Sequence, residues 1–503
     1  MPLKKEKIKA DSLSENARGW WETVDADLKT KIRAVCEEAL RRATPDKRER
    51  RETLEFSKRL VEALRDELLK DGLDGRVQIE GSIAKDTWLS GEKDIDIFIL
   101  LPEEYGREAF IRVLEAAKRV SGGNYLEAYA EHPYLEAYID GFTLNFVPCF
   151  RVKDASKAKS SVDRTPFHTV YVKNRLNERA KNEIRLLKAF MHGIGVYGAE
   201  IKVGGFSGYL CELLTLHYGS FLSVLEAASK WRRGEVIDIE GHYENPEEAG
   251  AIFQNEPLIV VDPVDKGRNV ASAVRVERLS EFIMASRLFL KKPDIRFFHP
   301  EETEAYSVGD LMRIMHSRGS AFIFLKTGAI RAVPDILWGQ LYRSRRALIN
   351  LIKQFDFEII RSDVWSDEKS VNVFLFELRS RFLPNIKRHL GPPIEKAENC
   401  EKFIKKHLGS NRTLSGPRIE GNRLVVDRGR EYTDVVNLLR DKLNDGGRSL
   451  GVARLVSQAF MNSFEILVNE EIGEFYSAND DFASFLTGYL RGRPHWLLLN
   501  HEP

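Results

Sequence analysis

From Asp94 to Leu101 the chain reads DIDIFILL, a short stretch in which two carboxylates give way to an unbroken apolar run. Its second half predicts a buried strand. Side chains alternate across a strand, so Asp94 and Asp96 share one face. Two carboxylates that close repel each other unless a cation lies between them. Oxygen-only donors suit Mg²⁺, which usually takes one or two carboxylates plus substrate phosphates and water. The mouth of this strand therefore reads as a Mg²⁺ platform for a nucleoside triphosphate, with Asp94 and Asp96 as metal ligands and catalytic residues.

The preceding GSIAK (81–85) supports that reading. Gly81 and Ser82 end a strand, and a helix is expected to begin just after them, offering free N–H groups to phosphate. Ser82 adds a hydroxyl and Lys85 a cation. Taken alone, a DxD beside a capped helix reads more readily as a solvated acidic turn. The combination of GS, a basic residue three further on, and DxD about nine residues later favours the triphosphate site.

At 503 residues the chain is too long for one core, and three or four domains are expected. No apolar run approaches a membrane span, and MPLKKEKIKADSLSENARGWWETV lacks the apolar core of a signal peptide, so a cytoplasmic protein with no membrane partner is expected. Four isolated cysteines without a CxxC pair argue against a disulfide framework or a structural zinc site. The net charge of +1 gives no global sign of a nucleic-acid binder. Between Arg379 and Arg448, however, 16 Lys/Arg face 9 Asp/Glu. A solvated surface and a phosphate-binding face explain that excess equally well.

Residues 26–70 carry helical periodicity, stopped by DGLDG. RVQIEGS and DIDIFILL follow as strands, and LEAYAEHPYLEAYIDGFTLNFVPCF alternates as antiparallel strands with a turn at Gly141. From about Ser161 to Glu226 the pattern is helical again, with Ser207 as a helix cap. AFIFLK, a helix through LWGQLYRSRRALINLIKQF, FEIIRSDVW and VNVFLFELR then predict a βαββ unit, and LGPPIEK marks a boundary before the basic C-terminal part. GGFSG lacks Walker or Rossmann spacing and reads as a tight start to a helix.

The GS…DxD constellation resembles the nucleotidyltransferase superfamily related to DNA polymerase β. DRTPFH (163–168), EIRLLKAF (183–190), GVYGAEIKVGGFSGYLCELL (195–214) and VDPVDKGRNVA (261–271) narrow the resemblance to the archaeal, class I CCA-adding enzymes. These are tRNA nucleotidyltransferases that add C, C and A to the tRNA 3′ end from CTP and ATP without a nucleic-acid template. The resemblance is dense from about Glu80 to Ala271. It implies an α+β multidomain fold: a nucleotidyltransferase head with a mixed β-sheet and helical lead (1–155), a helical neck for base recognition (156–285), an α+β body (286–390) and a tRNA-binding tail (391–503). It implies Mg²⁺ as cofactor and the tRNA acceptor arm and 3′ end as partner. A homodimer is among the assembly states open to it. Ser82 and Lys85 fall where the family contacts triphosphate. His168, Lys188 and Tyr197 fall on further nucleotide-contact positions, and Arg268 matches the arginine that helps recognise the incoming base. Singly, each has a plainer alternative; Arg268, for instance, has Asp262 and Asp265 as ion-pair partners.

The chain departs from the family at one catalytic position. The third carboxylate lies on a neighbouring strand shortly before VPC, and in TLNFVPCF that position holds Asn145. Asp140 is five residues away, on the other face of a continuous strand, with Gly141 between, and Glu136 is more remote in sequence. An amide has an acceptor oxygen but neither charge nor basicity. Either the chain is an altered, slowed enzyme or a neighbour compensates. A poly(A) polymerase-like enzyme and a non-catalytic RNA-binding protein on the same scaffold are the competing readings.

Overall fold

The protein is described by a computed structural model over residues 21–129, 133–301 and 304–498. Most of the N-terminal stretch read for a leader, through Trp20, lies outside the described residues, as do residues 499–503 of the expected tail. The alternating segments of the first third form one sheet from β1 (Arg76–Ile79), β2 (Asp94–Leu101), β3 (Tyr125–Tyr129), β4 (Pro133–Ile139) and β5 (Phe142–Phe150). The strand order is β1-β2-β5-β4-β3. Only β2 and β5 run parallel. Parallel neighbours need a crossover, supplied by helix Glu108–Ser121 and the β3–β4 pair.

One face of this sheet is apolar. Ile95, Ile97 and Ile99 of β2, Leu144 and Phe146 of β5 and Leu135 of β4 pack with Phe56, Leu60 and Leu64 of helix Lys47–Lys70. Phe110 and Val113 of helix Glu108–Ser121 join them. Each such side chain contributes about 1.5–3 kcal/mol by leaving water. A one-residue slip of β2 would expose this set and bury both aspartates, so the register is strongly held. On the opposite face Phe98, Leu100, Val147 and Cys149 form a smaller apolar cluster, and Asp94, Asp96 and Asn145 lie nearer the strand starts.

The segment from Thr165 to Lys291 is mainly helical, and it carries a small sheet of β6 (Glu235–Asp238), β7 (Leu258–Asp262) and β8 (Asp265–Asn269). Its core is aromatic. Phe190 stacks on Phe297 at 5.7 Å and meets Phe221, Phe289 and Phe298 edge-on. Helix Ala26–Ala43 buries Ala39 and Ala43 in this core, apart from the core of the five-stranded sheet. Trp496 also returns to stack on Phe297. Met1–Glu302 with Pro494–Pro503 make one compact unit and Thr303–Arg493 a second.

In the second unit β9 (Ala321–Gly328), β10 (Ile359–Ser366), β11 (Val371–Leu378) and β15 (Phe464–Val468) pair in the order β10-β11-β9-β15. Apolar residues occupy both faces. Ile323, Leu325, Phe374 and Phe376 meet helix Pro334–Gln354, while Phe322, Phe324 and Leu375 meet helices Val308–Ser317 and Asp480–Arg491. Two-sided burial explains why AFIFL and VFLFEL lack alternation. A separate sheet has the order β12-β14-β13, from β12 (Ile386–Pro393), β13 (Thr413–Glu420) and β14 (Arg423–Gly429). The LGPP expected to mark a boundary is instead the end of β12. That strand is an edge, where proline's missing N–H is tolerated. Among the described residues no helix is long and apolar enough to cross a membrane.

Candidate active site

Asp94 and Asp96 stand on the open face of the five-stranded sheet. Gly81 lies directly over Asp96: a Cβ there would sit 2.1 Å from Asp96 Oδ2, and its φ is +66°, so this position needs glycine on two counts. The helix expected after GS is the single turn Gly81–Lys85, ended by Asp86 in the left-handed region at φ 55°. That is shorter than the phosphate-binding helix anticipated, and its dipole is correspondingly small.

β2 and β5 place Asp94 beside Thr143 and Asp96 beside Asn145. The Asn145 amide donates to Asp96 Oδ1 at 3.2 Å. Burial pushes the Asp96 carboxyl up; the Asn145 bond opposes the rise and the Asp94 charge adds to it. Burial also raises Asp94, against a hydrogen bond from Thr143. Asp140 is exposed at the β4–β5 turn with φ 51°, away from this row. Glu136, remote in sequence, is the direct cross-strand partner of Asn145.

A cleft of about 360 Å³ opens beside Asp96 and brings Ser82, Lys85, His168, Lys188, Tyr197 and Arg268 to one surface. Its cations are not free. Lys85 Nζ lies 2.6 Å from Glu212 Oε2, and Lys188 Nζ lies 3.4 Å from Glu212 Oε1, all three side chains being buried. The Thr87 hydroxyl donates to Glu212 Oε1 at 2.6 Å. Burial pushes the Glu212 carboxyl up, but Lys85 and Lys188 outweigh it and hold the carboxyl below its ordinary range. Glu212 escaped the sequence reading. The available signal was one carboxylate inside the apolar helical run GYLCELL, whose cap, as expected, is Ser207, accepting from the Leu210 amide.

The far wall is organised by a second buried carboxylate, Asp262 at the end of β7. Its Oδ2 pairs with His168 Nε2 at 2.9 Å and with Arg268 Nη1 at 2.8 Å. Burial pushes Asp262 up, but His168, the Val264 amide and Arg268 together hold it low. Burial lowers His168, against the pull of Asp262, and its ring stacks on Tyr209 with centroids 4.3 Å apart. Arg268 thus makes the ion pair that the sequence allowed and also lines the cleft. Tyr197 stands over Gly208, where a Cβ would lie 3.0 Å from its hydroxyl.

The metal-type donors on the open sheet face beside the cleft carry oxygen: the Asp94 and Asp96 carboxylates and the Asn145 amide. That set fits Mg²⁺ rather than a thiolate- or imidazole-preferring metal. Two adjacent, partly desolvated carboxylates with raised carboxyl groups are also what a divalent cation would relieve. Among the described residues no group of three or more His, Cys, Asp or Glu side chains is placed to hold a metal ion.

Three family models match successive parts of the chain: a nucleotidyltransferase domain at residues 58–168, the second domain of tRNA nucleotidyltransferase at 182–299, and the C-terminal domain of CCA-adding enzyme at 318–469. A CCA-adding enzyme of Methanothermobacter thermautotrophicus is 37% identical over 456 residues, covering 90% of this chain and 96% of that protein. The CCA-adding enzyme of Methanosarcina mazei is 40% identical, covering 82% and 87%. That of Pyrobaculum islandicum is 36% identical, covering 84% and 96%.

Proposed function

The chain belongs to the CCA-adding enzyme family, and from that premise we propose that it extends the tRNA 3′ end with C, C and A through the cleft beside Asp96. The observation that carries the assignment of residues is their convergence. Asp96 borders the same cleft as Ser82, Lys85, His168, Lys188, Tyr197 and Arg268, and Asp94 stands two residues away on the same open sheet face.

The reaction is attack of the terminal 3′-hydroxyl on the α-phosphorus of CTP or ATP, with pyrophosphate leaving. Such transfers depend mainly on positioning and on stabilising charge. Asp94 and Asp96 would hold Mg²⁺, which supplies charge neutralisation at the phosphates and favours ionisation of the attacking hydroxyl. Ser82 donates to the triphosphate, and the Lys85–Glu212–Lys188 cluster forms a positive wall behind it. His168 and Tyr197 border the nucleoside, and Arg268 is the donor toward the base. Arg268's geometry is fixed by Asp262, so it presents its remaining N–H groups to acceptors on cytosine or adenine.

In the second unit a cleft of about 280 Å³ is lined by Lys387, His389, Arg412, Arg428 and Arg430, with Asp356 paired to Lys387 and Arg430 and Glu431 paired to Arg412. It supports phosphate contact with tRNA within the 391–503 tail and the strand leading into it. Work on tRNA is also the reason to expect the protein in the cytoplasm.

The direct test uses tRNA ending at its discriminator base with Mg²⁺ and each nucleotide alone or mixed, resolved on a sequencing gel. Addition of C, C and then A, only with CTP and ATP together, is expected. Repeated A addition to generic RNA would identify a poly(A) polymerase-like enzyme. Binding of tRNA without extension would identify a non-catalytic RNA-binding protein.

A further inference from the structure

Asn145 leaves the row beside Asp96 without a second charge, and the sheet itself supplies the nearest replacement. Parallel pairing puts Asn145 next to Asp96, and antiparallel pairing puts Glu136 directly opposite Asn145. Direct cross-strand partners point to the same face, with Cβ atoms about 4.5–5.5 Å apart. The burial pattern agrees. Leu135 and Ala137 flank Glu136 and are fully buried in the core, as are Leu144 and Phe146 around Asn145. Glu136 therefore stands with Asp96 and Asn145 on the open side, and it is only half-buried.

Its attachment there is light. The carboxylate accepts from the hydroxyl of Tyr138, two residues along on the same face. Tyr138 is 47% exposed. Among the described residues Glu136 has no lysine, arginine or histidine partner. The same phenol is pushed up to about 12 by burial, then by Glu136 and then by Asp94. It therefore lies within electrostatic reach of both carboxylates. Glutamate carries one methylene more than aspartate. Rotation away from Tyr138 swings its carboxylate along the row toward Asn145.

We propose that Glu136 is the third carboxylate of this site, reaching from β4 the position toward the tRNA 3′-hydroxyl that Asn145 leaves uncharged. The inference rests on the reading of the cleft as the site of CCA addition. In the step it serves, the 3′-oxygen forms a bond to the α-phosphorus. The bond from that phosphorus to the bridging oxygen breaks, and pyrophosphate leaves with the electron pair. The hydroxyl proton passes to the Glu136 carboxylate and on to water. Asn145 keeps the acceptor oxygen of the row and Glu136 supplies its charge.

The test is a cycle of Glu136→Gln and Asn145→Asp in the full-length protein. One readout is single-turnover extension of tRNA lacking CCA. The other is Mn²⁺ binding by electron paramagnetic resonance with α,β-methylene-CTP bound. Alone, Glu136→Gln is expected to slow extension about 10²-fold or more, the range for a positioned base, and to weaken one Mn²⁺ site. Analogue affinity should be unchanged. In the Asn145→Asp background the same substitution is expected to change the rate less than about threefold, far short of the ~10²-fold loss of a positioned base, with both Mn²⁺ sites intact. The double variant also reports folding, because it carries the same Glu136 change. Equal rates for parent and Glu136→Gln, or an equal loss in both backgrounds, would overturn the proposal. If the parent extends no tRNA, the functional reading fails. The Mn²⁺ titration then decides Glu136 by itself: a site weakened only while Asn145 is present supports it, and unchanged binding refutes it.

Discussion

Lys85 Nζ lies 2.6 Å from Glu212 Oε2, with both side chains buried and the two residues 127 positions apart in the chain. The head's one-turn helix is thereby tied to the helical segment that forms the other wall of the cleft. Lys188 shares the same carboxylate, so a single anion aligns two cations.

Removing that anion strands both ammonium groups in a dry site. Glu212→Gln is expected to destabilise the protein by about 3–5 kcal/mol, the range for breaking a buried pair from one side. Urea unfolding would measure it. A loss below about 1 kcal/mol would show the cluster to be solvated and weak.

The same pair has a pH signature. The folded Glu212 carboxyl is held below its ordinary value of 4.5 by Lys85 and Lys188, against burial. A depressed carboxyl stabilises above the unfolded value, and the stabilisation is lost as pH falls through the folded one. Stability of the parent should therefore decline below about pH 4.5 more steeply than that of Glu212→Gln, the reference value being that of the free carboxyl. Parallel acid limbs in thermal melts would contradict the assignment.

Asp96 is the aspartate that borders the cleft and contacts Asn145. Asp96→Asn should remove nucleotide addition, a loss of at least 10³-fold if metal binding fails along with orientation, by analogy with the cost of losing one transition-state stabiliser. The fold should survive, because the amide fills nearly the same volume. Mg²⁺ with CTP should raise the Tm of the parent and leave that of Asp96→Asn unmoved. A variant that extends tRNA normally would remove Asp96 from the chemistry.

Arg268 and His168 both bond Asp262, so the base-facing wall has one pivot. Arg268→Ala should raise misincorporation of U and G while leaving triphosphate affinity within about threefold, since the guanidinium addresses base acceptors. Asp262→Asn should give the same loss of fidelity and also lower the Tm, because it removes charge from a buried pair. Unchanged fidelity in both would leave Arg268 as an ion-pair residue only.

In the second unit, truncation from Pro393 is a poor test of RNA binding, because it would remove β15 from the sheet that β9 anchors. Substitution is cleaner. Arg428 lines the basic cleft, and its buried Nε lacks a partner among the described residues. Arg428→Gln should weaken tRNA binding and reduce the salt slope by about one phosphate contact. An unchanged slope would place the RNA contact elsewhere.

Local pattern determined a good deal. Alternation placed Asp94 and Asp96 on one face, because a strand's own backbone sets where its side chains point. Asp140 is kept from that row by the turn expected at Gly141, since it sits in the β4–β5 connection rather than on a strand, and Ser207 was legible as a cap because capping is a contact three residues long. What only the tertiary structure decided is which distant groups meet. Glu136 stands nine residues from Asn145 in sequence and beside it in space. Glu212 pairs with two lysines from elsewhere in the chain, and Asp262 aims Arg268. Strand register and buried ion pairs depend on how whole apolar faces close on one another, and no short stretch of sequence contains that information.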